Sequence, residues 1–523
     1  MLLRQWGNVD GKNIQSGTLP QNGSGRFSCV DEASLDYIRS LGVTHVWYTG
    51  VVRHATACDT NGCKSSNPAF VKGLAGSPYS ITDWFDVNPY LADSPDERMA
   101  GFEAMVERTH KAGLKVITDF IPNHVSRDYG AFSPGPIRDG LDANGHPVLG
   151  ACDDPAQHWK AENDFYWYPG EALKLPVPGD WEEYPAKASG NCFSPSPGIN
   201  DWYDTVRLNY CDFHTPTWDK MLQVVRFWAL KGVDGVRCDM VEMVPKPFCK
   251  WLIAKIKEEF PDFVFIAEVY DREQYASYLG EVGFDLLYDK SGMYDALHDI
   301  IVSGGSARIL SWNWQFLGDL QGGMLNFLEN HDEQRIASDF FAGSANRSYA
   351  ALYASALLNT APFMLYFGQE AGERGMDAEG FSGCNGRTTI FDWWCPSSAR
   401  HIWNHIHHGE KLPENEALVL ERYRSLGALL GRDAASKGRT FDLCYCQGEG
   451  FDPDRHFAFL RAWKDDALLV VCNFSGTDAD IRINVPEEAG KYLGINVEGL
   501  SRTVSVPSWD AAAISFFCGT LQG

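Results

Sequence analysis

Short apolar runs alternate along this chain with longer stretches whose apolar residues recur at helical spacing. The short runs read as buried strands and the longer ones as amphipathic helices. Strands are predicted at 1–6, 45–49, 115–121, 234–239, 263–268, 284–288, 324–329 and 363–367. Helices are predicted at 32–40, 95–112, 218–231 and 246–260, with Gly42, Gly113 and Gly232 placed to end the first three. In the second helix Met99, Phe102, Met105 and Val106 form the apolar stripe. Strands with helices between them, counted from the start of the chain, close most economically into a (β/α)8 TIM barrel.

Two stretches break the rhythm. Residues 126–209 are rich in Gly, Pro, Asn and Asp, with a turn signal at Asp142-Ala143-Asn144-Gly145. A structureless loop of that length is uncommon in a compact domain, so an inserted subdomain after the third strand is expected. Beyond a helix at 418–430, short runs at 457–463, 467–473 and 481–485 predict an antiparallel β-sandwich. The expected division is a barrel of residues 1–125 and 210–432, an insertion at 126–209 and a sandwich at 433–523. A long polar loop is expected at 54–76, with a turn at Asn61-Gly62, ahead of Tyr79 and Asp83.

Composition narrows the partners more than the fold. A formal net charge of −24 argues against nucleic acid or an anionic membrane surface as partner, since both need a basic face. No apolar run approaches the roughly 18 residues of a membrane span, and the N-terminal segment lacks the apolar stretch of a secretory signal. The sequence as written therefore reads as cytoplasmic, and as periplasmic or secreted if its N-terminus is cropped. The 14 cysteines include no C-x-x-C pair, which argues against zinc. Cys58 with Cys63, Cys152 with Cys192, or Cys384 with Cys395 could pair in an oxidising compartment.

Barrels of this kind carry chemistry where their strands end. Here those ends are polar: Asp119 runs into Asn123-His124, then come Arg237 with Asp239, Glu268, and Asn330-His331-Asp332. Any one of these is more economically a helix cap or a satisfied core side chain; four converging strand ends are not. Side chains alternate along a strand, so Arg237 and Asp239 face the same way. A buried Arg–Asp pair is costly as mere structure, and the cation is expected to keep Asp239 ionised and lower its pKa. Glu268 ends an apolar strand, where burial raises a carboxyl toward the range of a general acid. One ionised and one protonated carboxyl are what a retaining glycosidase uses. Asp332 is then expected to bind sugar hydroxyls and favour a positively charged transition state. His124 and His331 would donate hydrogen bonds to hydroxyls, and Tyr79 would stack under a sugar ring.

Asp119-Phe120-Ile121-Pro122-Asn123-His124, Gly235-Val236-Arg237-Cys238-Asp239, Ala267-Glu268-Val269 and Asn330-His331-Asp332 resemble, in order, the conserved regions of the α-amylase family of glycoside hydrolases. Ala361-Pro362 through Gly368-Gln369-Glu370 is similar to its eighth-strand region, and Tyr79 with Asp83 to the loop supplying its stacking tyrosine. The resemblance implies nucleophile for Asp239, acid/base for Glu268 and transition-state stabiliser for Asp332. It implies substrate binding for Tyr79, His124, Arg237 and His331, and makes the insertion domain B and the sandwich domain C. The implied reaction is retaining hydrolysis of α-1,4-glucosidic bonds in starch-like glucans or maltooligosaccharides, or, alternatively, transfer to a sugar acceptor at the same site. A non-catalytic relative would be expected to lack part of the triad, which is complete here.

Two departures concern metal. Arg207 stands where the family usually carries a calcium-binding Asp, and Glu242-Met243 where a Lys-His pair often follows the nucleophile. Asn123 remains as a candidate ligand, but a cation at Arg207 is a poor neighbour for calcium, which prefers several oxygen ligands. No cofactor is expected to be required and no metal ligand is assigned, calcium being a possible but disfavoured addition.

Overall fold

The protein is described by a computed structural model covering residues 1–58 and 64–518; the expected turn at Asn61-Gly62, and Cys63, lie outside the described residues. Seven parallel strands pair in chain order: His45–Tyr48, Lys115–Phe120, Gly235–Cys238, Val264–Ala267, Leu286–Tyr288, Met324–Phe327 and Phe363–Met364. Parallel strands covered on both faces read as nearly continuous apolar runs, which is why these segments stood out. The eighth position is taken by Leu2, which bridges Thr49 in parallel, while the Met1 amine donates to the Trp47 carbonyl at 2.6 Å.

The strand predicted at 1–6 shrinks to that bridge because Leu3–Gln5 turns into a 3-10 helix. The turn lets buried Arg4 and Gln5 satisfy backbone carbonyls across the fold. Arg4 donates to Ala75, Gly76 and Ile390 at 2.9, 3.1 and 2.5 Å, and Gln5 to Thr389 at 2.7 Å. The bonds to Ile390 and Thr389 tie the start of the chain to the segment after the last barrel strand, closing the (β/α)8 ring.

Helices cover the sheet where the periodicity placed them. Glu32–Ser40 is capped by Asp31, whose carboxylate accepts the Ser34 N–H at 2.9 Å, a contact worth about 1 kcal/mol. Pro216–Leu230 has its proline at the first position, where no N–H is needed, and Gly232 follows at φ +88°. Lys246–Glu259 appears as expected, whereas 95–112 divides into a 3-10 turn, Pro95–Glu97, and the helix Arg98–Lys111.

The segment following the second predicted strand is not a simple loop. Val52–His54 pairs antiparallel with Ile81–Val87, and all seven residues of the latter are buried. The insertion springs from a second small ladder, His124–Ser126 against Thr205–Arg207. Inside it, buried Arg127 donates to Glu183 at 2.9 Å, Ser189 at 2.7 Å and the Tyr203 carbonyl at 2.5 Å. That one side chain gives a turn-rich segment a polar centre.

At the C-terminal end Arg439–Asp442, His456–Trp463, Asp466–Asn473 and Ala511–Phe517 form a four-stranded antiparallel sheet. A second sheet, Ala479–Ile483 with Arg502–Val506, joins it around a core including Leu460, Leu469, Ile481 and Val504. Buried Arg461 reaches back to the Leu357 carbonyl at 2.9 Å and so seats this unit on the barrel. Cys152, Cys192, Cys384 and Cys395 are free thiols, so the Cys152–Cys192 and Cys384–Cys395 pairings do not form here. Among the described residues no helix is long and apolar enough to cross a membrane.

Candidate active site

The parallel ladder sets strand ends side by side. Asp239 N–H donates to the Phe120 carbonyl at 2.9 Å, and Glu268 N–H to the Cys238 carbonyl at 3.1 Å. Gly235 makes the close approach possible: a Cβ there would lie 2.5 Å from the Val264 carbonyl oxygen and 2.7 Å from Ile117 Cδ1. Register does the rest. Arg237 faces Asp119 on one neighbour and Ile266 on the other, so Glu268 comes up two residues beyond its level.

Arg237 is the centre of the site, fully buried with both arms engaged. Nη1 lies 2.5 Å from Asp239 Oδ1 and Nη2 lies 2.9 Å from Glu268 Oε1, while Nε donates to the Tyr288 hydroxyl at 3.2 Å. The rings of Trp47, Tyr79 and Tyr288 surround the guanidinium, each 5.5 Å away, and their π faces favour a cation. Glu268 is held at both oxygens: Oε1 also accepts the Tyr270 hydroxyl at 2.6 Å, and Oε2 accepts the Met240 N–H at 2.9 Å. Met240 aims that N–H from a left-handed conformation at φ +45°, a costly geometry for a side-chain-bearing residue.

Asp332 enters from the Met324–Phe327 side. Asn330 Oδ1 accepts the N–H groups of Asp332 and Glu333 at 2.8 and 2.9 Å, turning the chain so that Asp332 faces the cleft. His331 Nε2 sits 2.9 Å from Asp332 Oδ2, and its ring stacks on Tyr79 at 4.9 Å. The Tyr79 hydroxyl in turn donates to Asp119 at 3.4 Å. Tyr79, Arg237, Asp239, Glu268, His331 and Asp332 are thus one connected group. His124 stands at its edge: its ring contacts Asn123 at 3.2 Å and Trp202 at 5.1 Å, and reaches the Tyr79 backbone.

Burial sets the titration of these groups, and one expectation needs correcting. Burial pushes Asp239 up, and Arg237 pulls it back only in part, so its pKa is not lowered as the sequence suggested. Glu268 is likewise raised by burial against the opposing pull of Arg237. Asp332 goes the other way: its side chain is 46% exposed, and His331, Arg237 and Arg387 outweigh the raising effect of partial desolvation in the cleft and bring it to about 2. Burial lowers His124 to about 4, which leaves it neutral at ordinary pH.

Sequence reading missed several participants. Tyr270, two residues past Glu268, is fixed by Glu242, whose carboxylate accepts the Tyr270 and Asp271 N–H groups at 2.9 and 3.0 Å. Tyr288 and Trp47 end or cross strands that had been predicted, so their position at the mouth was within reach. Arg387, which donates to the Asp332 carbonyl at 2.5 Å from a loop 55 residues on, had no local signal.

The calcium position does not fit calcium. The Gly190 and Met243 carbonyls already accept from Arg207, at 3.1 and 3.0 Å, and the Asn123 amide nitrogen donates to Gly190 at 2.9 Å. No group of three or more His, Cys, Asp or Glu suited to a metal occurs among the described residues.

The model of the alpha amylase catalytic domain matches residues 18–278, and that of the alpha amylase C-terminal all-beta domain matches 452–499. The chain belongs to the α-amylase family of glycoside hydrolases. Among curated relatives of this family, Alpha-amylase MalA of Haloarcula japonica is 24% identical over 491 residues, 91% of this chain and 57% of that protein. Neopullulanase 2 of Thermoactinomyces vulgaris is 23% identical, over 87% of this chain and 64% of its own length. The chain therefore spans about three fifths of the length of these relatives. Among solved structures, a cyclic alpha-maltosyl-(1→6)-maltose hydrolase from Arthrobacter globiformis, in complex with maltose, superposes with a TM-score of 0.65. It is 18% identical, with 99% of this chain and 98% of that one covered, a likeness of fold.

Proposed function

We propose that this enzyme hydrolyses α-1,4-glucosidic bonds in starch-like glucans or maltooligosaccharides with retention of configuration. The observation that carries the reading is the single guanidinium of Arg237, hydrogen-bonded to Asp239 on one arm and ion-paired with Glu268 on the other. Two carboxyls clamped in this way favour the spacing of about 5–5.5 Å used for retention over the ~6.5–9.5 Å that admits a water between them. Arg237 occupies Asp239 Oδ1, which leaves Oδ2 to attack the anomeric carbon. As that bond forms, the glycosidic C–O bond breaks and the Glu268 proton passes to the departing oxygen. Glu268 then takes a proton from water, whose oxygen displaces Asp239 from the anomeric carbon. Asp332, ionised and open to the cleft, binds hydroxyls and stabilises the cationic transition state. Tyr79 supplies a ring face, and His124, largely neutral, and His331 bind hydroxyls at the cleft.

Transfer to a sugar acceptor shares every step up to the glycosyl-enzyme. It is the second reading because a cyclomaltodextrin glucanotransferase of Bacillus licheniformis is also similar, 27% identical over 45% of this chain. Maltoheptaose decides between them. Shorter products that appear first as α-anomers in proton NMR support retaining hydrolysis, longer products support transfer, and β-anomers refute retention. Glu268→Gln should lower turnover roughly 100- to 10,000-fold while glucan binding survives.

A further inference from the structure

Arg207 sits at the joint between the insertion and the barrel, and its donors bridge the two. Its backbone is paired with His124 in the ladder that closes the insertion. Nη1 donates to the Gly190 carbonyl within the insertion, 3.1 Å away, and Nη2 to the Met243 carbonyl on the turn following Asp239, 3.0 Å away. The Phe193 ring lies 4.8 Å from the guanidinium carbon. Burial lowers the Arg207 pKa, and the Tyr166 hydroxyl opposes it. A half-buried cation is expensive without compensation; here oriented carbonyl dipoles supply it.

The carbonyls it holds are not incidental ones. Met243 ends the short turn whose Met240 N–H fixes Glu268 Oε2 and whose Glu242 fixes Tyr270. Gly190 backs directly on His124: a Cβ there would lie 3.2 Å from His124 Cγ. One guanidinium therefore joins the support of the acid/base carboxyl to the support of His124.

We propose that Arg207 is a built-in cation that takes the structural place of a divalent ion, locking the insertion to the turn behind Asp239 and Glu268. It is a positioning residue, acting through the Met243 and Gly190 carbonyls, and its catalytic consequence rests on the roles proposed above. The consequence for the protein is calcium independence.

The test begins with wild-type protein stripped of metal on a chelating resin. Its thermal midpoint and maltoheptaose turnover should not change with chelator or millimolar calcium, and calorimetric titration with calcium should show no binding. A midpoint raised by calcium, or a measurable binding isotherm, overturns the proposal. Arg207→Ala should lower kcat about 100-fold, as misplacement of a catalytic group by an ångström does, and lower the midpoint by several degrees. Methylguanidinium at millimolar concentration should restore part of kcat, whereas sodium at equal ionic strength should not. Wild-type kcat and midpoint in that variant also overturn it. If R207A does not fold, Arg207→Lys keeps the charge without the two-armed fork and should fold with reduced kcat; undiminished kcat there counts against the proposal. The calcium titration and melting arms read out even if the substrate proposed above is wrong, so the two failures are distinguishable.

Discussion

Removing the Tyr270 hydroxyl should move the alkaline limb of the pH–rate profile upward. The phenol donates to Glu268 Oε1 over 2.6 Å, and so favours the ionised carboxylate. A hydrogen bond to a charged group contributes about 1.5–3 kcal/mol, and about 1.4 kcal/mol corresponds to one pKa unit. Tyr270→Phe therefore raises the Glu268 pKa, already pushed up by burial, by about 1–2 units. The first step of the proposed mechanism needs Glu268 protonated, so activity should be lost as pH rises through that pKa. The alkaline limb of log kcat/KM, which reports the free enzyme, should shift up by the same amount. Asp239 shares Arg237 with Glu268, so the limb belongs to the pair and the full two units is an upper bound. The ring itself should stay in place, because Glu242 holds the Tyr270 N–H at 2.9 Å. Initial rates on a chromogenic maltooligosaccharide between pH 4 and 9 provide the measurement. An unmoved or downward-shifted limb in a variant with normal melting refutes the argument.

Three further outcomes follow from other parts of the structure. Arg335 is fully buried, bonded to Glu329 at 2.8 Å, the Phe367 carbonyl at 3.0 Å and Thr388 at 2.8 Å. Arg335→Met strands the Glu329 carboxylate and should destabilise the fold by about 3–5 kcal/mol in urea unfolding, and an unchanged midpoint would falsify that. His54 is neutral in the fold, its ring bonded to the Val52 carbonyl at 2.9 Å and to the Asn88 amide at 3.1 Å, with burial lowering its pKa to about 3. The unfolded chain takes up that proton first, so stability falls by about 1.4 kcal/mol per pH unit below ~6.5; thermal melts from pH 7 to 4.5 should show a shallower drop for His54→Gln than for wild type. Gly190→Ala would press a Cβ to 2.7 Å from Thr205 Oγ1 and 2.9 Å from Trp202 Cε3 beside His124. It should cost about 10- to 100-fold in kcat/KM, and full activity would show that His124 tolerates displacement.

The barrel was legible because its strands are apolar throughout and end in the motif residues themselves. What escaped notice is polar and buried, where periodicity misleads. Ile81–Val87 carries Thr82, Asp83 and Asp86 in a strand buried along its whole length. Asp83 accepts the Phe85 N–H at 2.9 Å, and Asp86 pairs with Arg53 at 2.8 Å and Arg98 at 2.7 Å, so distant partners make those positions tolerable. Arg4 and Gln5 likewise turn a predicted strand into a clasp. Within the site, Asp239, Glu268, Asp332, Tyr79, Arg237 and His331 could be named from strand ends and motifs. Tyr270 could not, because its orientation depends on Glu242 from another segment, nor could Arg387, because it acts across a loop whose path no local pattern encodes.

On the proposed assignment, the division of labour among the carboxyls follows from charge. Asp119, Asp239, Glu268 and Asp332 converge where Arg237 is the fixed cation and His331 the nearest titratable partner. Asp332 has a side chain 46% exposed and His331 at 2.9 Å, so it remains ionised in the open cleft. Its charge raises both Asp239 and Glu268, which are already raised by burial. The excess negative charge is relieved by a proton, and burial favours placing it on the more deeply enclosed carboxyl. Asp239 has the shorter contact with Arg237, 2.5 Å against 2.9 Å, and the more exposed side chain, 11% against 3%. The proposed mechanism places that proton on Glu268, where burial has to outweigh the Tyr270 and Met240 donors that favour the ionised form. On that proposal, the ionised Asp332 that would stabilise the cationic sugar also favours the protonated acid, and the guanidinium that positions the acid pulls against the burial that raises Asp239.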